Sequence, residues 1–280
     1  MNTIITLNWN TTELLIGLFE SIQKNTSSFF ELIIVDNGSV DQEFDKLKKY
    51  FDDAHDKYSK GKHRISSLTN KIYQYYNEEQ HVVIKRLSKN LGFAAGNNIG
   101  ISLIKETSNS NDLPVNIVFI NSDIVIEENN WCDKFEQVFK DKDVGVVGAS
   151  YHPLRWTRDC RFELQPIPNQ PIESESVQGA FFSIPYEILK QVKEKDGCWF
   201  DENFKFAHYE ETDLCFRIMD LGYKCFWTPC KHLHLHNKSS TKKNGYKLSD
   251  EIQNINDFKA NSERNRLLLS SKHKTRFESK

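Results

Sequence analysis

The 280-residue chain is long enough to bury a sizeable core, as one large domain or one domain with appendages. Its 37 Lys and Arg nearly balance 39 Asp and Glu, a net charge of -2, which argues against a dedicated nucleic-acid binder with its strong basic excess. Hydrophobic residues make up 38% of the chain and no apolar run approaches the ~18 residues of a membrane span, so the composition is that of a soluble protein.

The first half alternates short apolar runs with amphipathic stretches. TIITL (3–7) reads as a buried strand, and Leu14, Leu15, Leu18, Phe19 and Ile22 then recur at helical spacing over 12–24. ELIIV (31–35), VVIKRL (82–87), NIVFI (116–120) and VGVVGAS (144–150) read as further strands, with a helix over 94–105. Continuous Val/Ile runs separated by helices predict strands buried on both faces, hence an α/β fold with a mostly parallel central sheet between helical layers. Residues 41–80 are polar and rich in Lys and Tyr and read as a helical or partly disordered insertion; 151–175, with three prolines, reads as a loop. SVQGAFFSIP (176–185) reads as a strand leading into a helix from Tyr186. HYEETDLCFR (208–217) begins another helix that Gly222 ends, and KCFWTP (224–229) is a last strand. The six cysteines form no CxxC pair and MNTIITLNWN holds no signal-peptide pattern, so free thiols and a cytoplasmic location are expected.

In an open α/β sheet, ligands bind at the carboxyl ends of the strands. The residues there are consistently polar: Asn8 and Asn10, Asp36 and Asn37, Asn90, then Asn121 and Asp123. Such residues also end strands for purely local reasons. Asp36 suits a base N–H or a ribose. NLGFAAGNNIG (90–100) is neither GxGxxG nor a Walker A loop; its glycines allow either close ligand approach or tight helix–sheet packing. Asp123 suits a hard divalent ion that keeps other positions for water and phosphate oxygens. His232, His234 and His236 would share one side of an extended segment, as ligands or as structural residues. Glu210, Glu211 and Asp213 either complement a helix dipole or do acid–base work beside the aromatic KFAHY stretch.

Together these motifs resemble the family-2 glycosyltransferases of the GT-A fold, and within them the bacterial enzymes that add rhamnose and related sugars to surface polysaccharides such as capsule and lipopolysaccharide. TLNWN (6–10), VDNGS (35–39), NLGFAAGNNIG, INSD (120–123), SVQGAFFSIPYEIL, FDENFKFAHYEETDLCFRIMDLGYK and HLHLHNKSS carry the resemblance in order along residues 3 to about 240. The resemblance implies a GT-A domain over 1–240: a nucleotide-sugar half (1–123), an acceptor half (124–240), the 41–80 insertion, and a basic extension over 241–280. It implies an inverting transfer from a dTDP- or UDP-sugar to a hydroxyl of a glycan or lipid-linked acceptor. Asp36 would bind the base with Asn8 and Asn10 nearby, Asn90, Gly92, Asn97 and Asn121 would line the donor, and Asp123 with His234 or His236 would hold Mg²⁺ or Mn²⁺. Glu211 stands at the base position, with Glu210 beside it, and Asp213 reads as a helix-start or structural acid.

Two departures stand out. Asn121 replaces the first acid of a DxD motif, and Glu211 replaces a more usual Asp, moving its carboxylate outward by about 1.5 Å. A nucleotidyltransferase would want a basic Gly-rich loop after the first strand, which NWNTTE lacks; a non-catalytic sugar- or partner-binding module is a further alternative. Lys259, Arg264, Arg266, Lys272, Lys274 and Arg276 with Leu267–Leu269 read either as a contact for an anionic membrane surface or as an ordinary solvated helix.

Overall fold

The computed structural model describes residues 2–58, 72–76, 78–107, 114–235, 245, 247–249 and 251–280. The N-terminal strands are β1 (Asn2–Asn8), β2 (Phe30–Asp36), β3 (Ile72–Tyr76), β4 (Gln80–Arg86), β5 (Asn116–Ile120) and β6 (Ile124–Ile126). Then come β7 (Val144–Gly148), β8 (Leu154–Trp156), β9 (Phe162–Leu164), β10 (Ile172–Glu173), β11 (Phe181–Pro185), β12 (Lys224–Trp227) and β13 (His232–His234). Nine of them form one sheet in the order β10-β12-β7-β11-β5-β1-β2-β4-β3. The sheet is mixed: β5-β1-β2-β4 run parallel, while β11 lies antiparallel between β5 and β7 and β3 closes the far edge antiparallel.

Alternate strand residues face opposite layers, as the pleat requires. Ile4, Ile34 and Phe181 pack on α1 (Thr12–Asn25), α2 (Asp41–Tyr58) and α4 (Cys132–Phe139). Their neighbours Ile5, Ile33 and Phe182 pack on α3 (Gly92–Thr107), α5 (Tyr186–Asp196) and α6 (Glu210–Met219). The predicted α1 face is the buried one, with Leu15, Leu18, Phe19 and Ile22 all in the core. Gly197 ends α5 in the left-handed conformation at φ 75°.

Several short elements differ from the sequence reading. Within 41–80, α2 covers 41–58 and β3 adds an edge strand whose Ile72 and Tyr75 are buried. The 151–175 stretch contains the β8–β9 hairpin and β10, since Leu154 and Trp156 are buried and anchor the hairpin to the core. Strand β11 begins only at Phe181; Gln178–Ala180 turn away to line a cleft. β6 and β13, each of three residues, pair in a separate two-stranded sheet that sets His234 opposite Ile124. Strands this short carry too few residues for a period to show.

The C-terminal α7 (Ile255–Lys272) and α8 (Lys274–Glu278) dock on α6. Leu269 and Phe277 join Phe204, Phe216 and Trp156 in a third apolar cluster. Five basic residues of this segment have intrachain partners: Lys272 bonds Asp201 and Asp213, Arg276 bonds Asp220 and the Phe216 carbonyl, Arg264 bonds the Asn203 carbonyl, Arg266 bonds Glu263, and Lys274 bonds Glu278. No helix among the described residues is long and apolar enough to cross a membrane.

Candidate active site

Two clefts open at the carboxyl edge of the parallel strands and meet at Phe93, Asn121, Asp123 and Ala207. The smaller, about 190 Å³, is walled by Trp9, Asn37, Asn90, Gly92 and Phe206. The larger, about 460 Å³, is walled by Tyr151, Trp156, Gln178, Gly179, Tyr209, Glu210, Glu211 and His234.

Behind the smaller cleft the strand-end residues bond one another. Asn8 Nδ2 donates to Asp36 Oδ1 at 2.9 Å and Thr11 Oγ1 donates to Asn8 Oδ1 at 3.2 Å. The Asn10 amide donates to Ser39 Oγ, while Asn10 Oδ1 accepts from the Val40 amide. Asp36 is 0% exposed, and its Oδ2 has no hydrogen-bond partner among the described residues; Arg86 Nε stands 4.0 Å away. Burial raises the Asp36 carboxyl, opposed by hydrogen bonds from Ser39 and Asn8 and by the Arg86 charge. Asn37 ties the turn to α3: its Nδ2 donates to the Gly92 carbonyl and its Oδ1 accepts from the Leu91 amide.

Where the clefts meet, Asp123 Oδ1 lies 3.2 Å from His234 Nε2, and the Tyr151 ring packs on the His234 ring at 4.9 Å. β13 delivers His234, held in place as the Leu235 amide donates to the Asp123 carbonyl. One carboxylate and one imidazole fit a divalent ion that takes its other ligands from water and phosphate oxygens. Among the described residues, no group of three or more His, Cys, Asp or Glu converges as a complete protein metal cage. His236 lies outside the described residues, and His232 instead packs its ring on Phe181.

Glu210 and Glu211 open α6 on the floor of the larger cleft. Glu210 is 1% exposed and its Oε1 has no hydrogen-bond partner among the described residues. Burial, together with the neighbouring Glu211 charge, pushes Glu210 well above the usual carboxylate range. Burial also raises Glu211, to about 7, although the backbone amides of Glu211, Gly179 and Thr212 pull it down. Of the two, Glu210 is the more strongly held toward its protonated form, and Glu211 the one whose ionised form the backbone amides support. Gly179 makes the room: a Cβ there would stand 3.2 Å from the Glu211 carboxyl carbon. Helix-end bonding and an activated carboxylate thus coexist in one residue. Asp213 faces away, into a buried set of ion pairs.

The segment entering α6 is strained. Phe206 (φ 60°), His208 (φ 82°) and Tyr209 (φ 78°) all lie in the left-handed region, at about 1–3 kcal/mol each. The Phe93 amide, at the start of α3, donates to the Phe206 carbonyl at 2.8 Å. Gly92 permits this approach, with φ +86° and its missing Cβ 2.7 Å from Phe206 Cα. Gly92→Ala is expected to lower stability by about 1–3 kcal/mol in denaturant melts, since backbone faces backbone and neither side yields easily. An unchanged midpoint would show the contact to be compliant.

The structure thus brings Asn90, Gly92, Asn121, Asp123, His234, Glu210 and Glu211 to the two clefts. Asn8, Asn10 and Asp36 stand behind the wall, and Asn97 is buried with its Nδ2 on the Phe93 carbonyl. Trp9, Tyr151, Trp156 and Gln178 line the clefts without having been singled out in the sequence, while Tyr209 belongs to the KFAHY stretch expected beside the glutamates. Trp9 had a signal, lying between Asn8 and Asn10 at a strand end; the others depend on packing between distant segments.

Residues 3–201 match the model of glycosyl transferase family 2. Glu210, Glu211 and the C-terminal helices lie beyond the matched residues. No curated protein matches the chain. Among solved structures, the chain is similar to the mannosyltransferase PcManGT from Pyrobaculum calidifontis, in complex with GDP-Man and Mn²⁺, at 13% identity and TM-score 0.55, over 81% of this chain and 54% of that one. It is similar to S. aureus TarS at 15% identity and TM-score 0.50, over 82% of this chain and 35% of that one. The chain thus aligns with about half and about a third of the two proteins' lengths, a likeness of fold. With the helix–sheet–helix layers and the matched stretch covering most of its length, the chain belongs to glycosyl transferase family 2 and has the GT-A fold.

Proposed function

We propose that the chain is an inverting glycosyltransferase moving a sugar from a nucleoside-diphosphate sugar, dTDP-rhamnose or a UDP-sugar, to a hydroxyl of a glycan or lipid-linked acceptor in surface-polysaccharide synthesis. The observation that carries this reading is the junction of two clefts at Asn121 and Asp123, with an activated carboxylate, Glu211, on the floor of only the larger one. The smaller cleft takes the donor nucleotide, against Asn90, Gly92 and Asn121. Asn8, Asn10 and Asn97 position that wall. Asp36 is the proposed contact to a base N–H through its Oδ2, which has no hydrogen-bond partner among the described residues and is reached only if the wall in front of it shifts. The same reading divides the core into a donor half over 1–123 and an acceptor half over 124–240.

Asp123 and His234, with His236 as the alternative, are the residues to hold Mg²⁺ or Mn²⁺, which when bound neutralises charge on the departing diphosphate. The acceptor hydroxyl enters the larger cleft. Glu211 takes its proton as the oxygen bonds to the anomeric carbon, and the bond from that carbon to the diphosphate oxygen breaks. A single displacement from the opposite face inverts the configuration. Glu210, whose burial favours its protonated form, keeps a second negative charge away from the base. Most cations of the C-terminal segment are engaged within the chain, which favours an intrachain role for it over peripheral membrane docking.

Nucleotide release from a panel of UDP-, dTDP- and GDP-sugars, with and without Mn²⁺, tests the reading. The expected result is release from one donor class, dependent on the metal and stimulated by an acceptor. Glu211 must be ionised to act, so activity should fall as the pH drops through about 7. No release from any donor would favour a binding module, and an acid limb near the ordinary carboxylate range would remove Glu211 from the base role.

A further inference from the structure

The segment from Asn203 to Tyr209 connects the two clefts, since Phe206 and Ala207 wall the donor side while Tyr209 leads into Glu210 and Glu211. Its left-handed residues persist only where the surroundings over-determine them. Helix α7 makes those contacts. Asn265 is 0% exposed, and its Nδ2 donates to the carbonyls of Lys205 (3.0 Å), Ala207 (3.1 Å) and His208 (3.2 Å). Its Oδ1 accepts from the Lys205 amide at 3.3 Å and from Arg264 Nη1 at 3.2 Å. On the same helix, Asn261 Nδ2 donates to the Lys205 carbonyl at 2.8 Å, and Ser262 Oγ is hydrogen-bonded to His208 Nδ1 at 2.8 Å. Phe258 packs on the His208 ring at 5.1 Å and itself lines the larger cleft.

We infer that α7 is a built part of the active site, and that Asn265 is a positioning residue that holds the Lys205–Tyr209 backbone so that Glu210 and Glu211 face the acceptor. A side-chain amide suits this work: its N–H donors satisfy carbonyls that a left-handed turn leaves outside any helix or strand. A carboxylate of the same shape sets oxygen against oxygen. The inference rests on the reading of Glu210 and Glu211 as the working pair, but the holding of the loop has a readout of its own.

The test compares Asn265→Asp with Arg276→Ala, a change in the adjoining α8 that removes its bonds to the Phe216 carbonyl and Asp220 and leaves the loop contacts in place. Asn265→Asp should raise hydrogen exchange of amides 205–211 by about tenfold or more and lower kcat for transfer by a similar factor, with a smaller change in donor KM. Arg276→Ala should lower the melting midpoint yet keep kcat below that midpoint and leave those amides protected. Unchanged exchange in folded Asn265→Asp, or equal loss of kcat in both variants, would overturn the inference. Where Asn265→Asp does not fold, Ser262→Ala serves, removing only the His208 contact: a several-fold fall in kcat with faster exchange at 207–209 is expected, and no change overturns the idea. Loosened amides in a chain whose wild type transfers no sugar would leave the clamp standing and sink the glycosyl-transfer reading instead.

Discussion

Replacing Glu211 by Gln is expected to cut sugar transfer by ~10²-fold or more while leaving donor binding intact, because the amide keeps the shape but takes no proton. Glu210→Gln should retain transfer within about tenfold. Burial and the Glu211 charge favour the protonated form of its carboxyl, and an amide mimics that neutral state. Single-turnover transfer and donor titration on each variant separate the two. The opposite ranking, with Glu210→Gln inert and Glu211→Gln active, would move the base to Glu210. A residue-by-residue resemblance leaves this question open, since the two acids are adjacent. Burial separates the two: Glu210 is 1% exposed and its Oε1 has no hydrogen-bond partner among the described residues, whereas Glu211 is only partly buried and accepts backbone amides that keep its charged form within reach.

The largest loss of stability is expected at Asp213. It is fully buried and accepts from Arg217 Nε at 2.8 Å, His273 Nε2 at 2.8 Å and Lys272 Nζ at 2.9 Å. Burial raises its carboxyl, but the His273 hydrogen bond and the Arg217 and Lys272 charges outweigh that and bring it down to about 2. Asp213→Ala would leave the buried Arg217 guanidinium with only the partly exposed Asp196 as a charge partner, at about 3–5 kcal/mol. Urea melts should show it, and a loss under about 1 kcal/mol would mean that water enters to replace the carboxylate. The sign with pH follows from the depressed value. The unfolded Asp213 titrates near its ordinary value of 3.8, so its contribution, on the order of 2 kcal/mol, is complete above that pH and is lost as the pH falls toward about 2. The same carboxylate joins α6 to the C-terminal helices, so its loss should also loosen α7 and, through Asn265, the loop ahead of Glu210.

The strands β1, β2, β4, β5 and β7 were legible because each is a continuous Val/Ile run, and α1 because its apolar residues repeat every three or four positions. The family resemblance was legible because short motifs stand at strand ends, where backbone geometry demands Asn, Asp and Gly. Gly92 and Gly179 sit where a Cβ would strike a backbone or a carboxylate, so the chain records those contacts as glycines. The runs, the helical repeat and the strand-end motifs are local properties, set by residues within one turn or one strand, whereas the two glycines mark tertiary contacts whose partners the chain does not name.

What only the tertiary structure decided is long-range. The antiparallel insertion of β11 between β5 and β7, and the pairing of β13 with β6 that sets His234 beside Asp123, join segments about a hundred residues apart or pass between distant strands. No periodicity encodes such a pairing. The basic C-terminal segment looked like a surface, since its cations alternate with few apolar residues. Folded, Lys272 and Arg276 answer the acids of α6 and its approach, and Asn265 answers a loop sixty residues earlier. Charge and hydrogen-bonding capacity are written in the chain; which partner satisfies them is set by burial, because only the folded interior makes an unpaired group costly enough to choose.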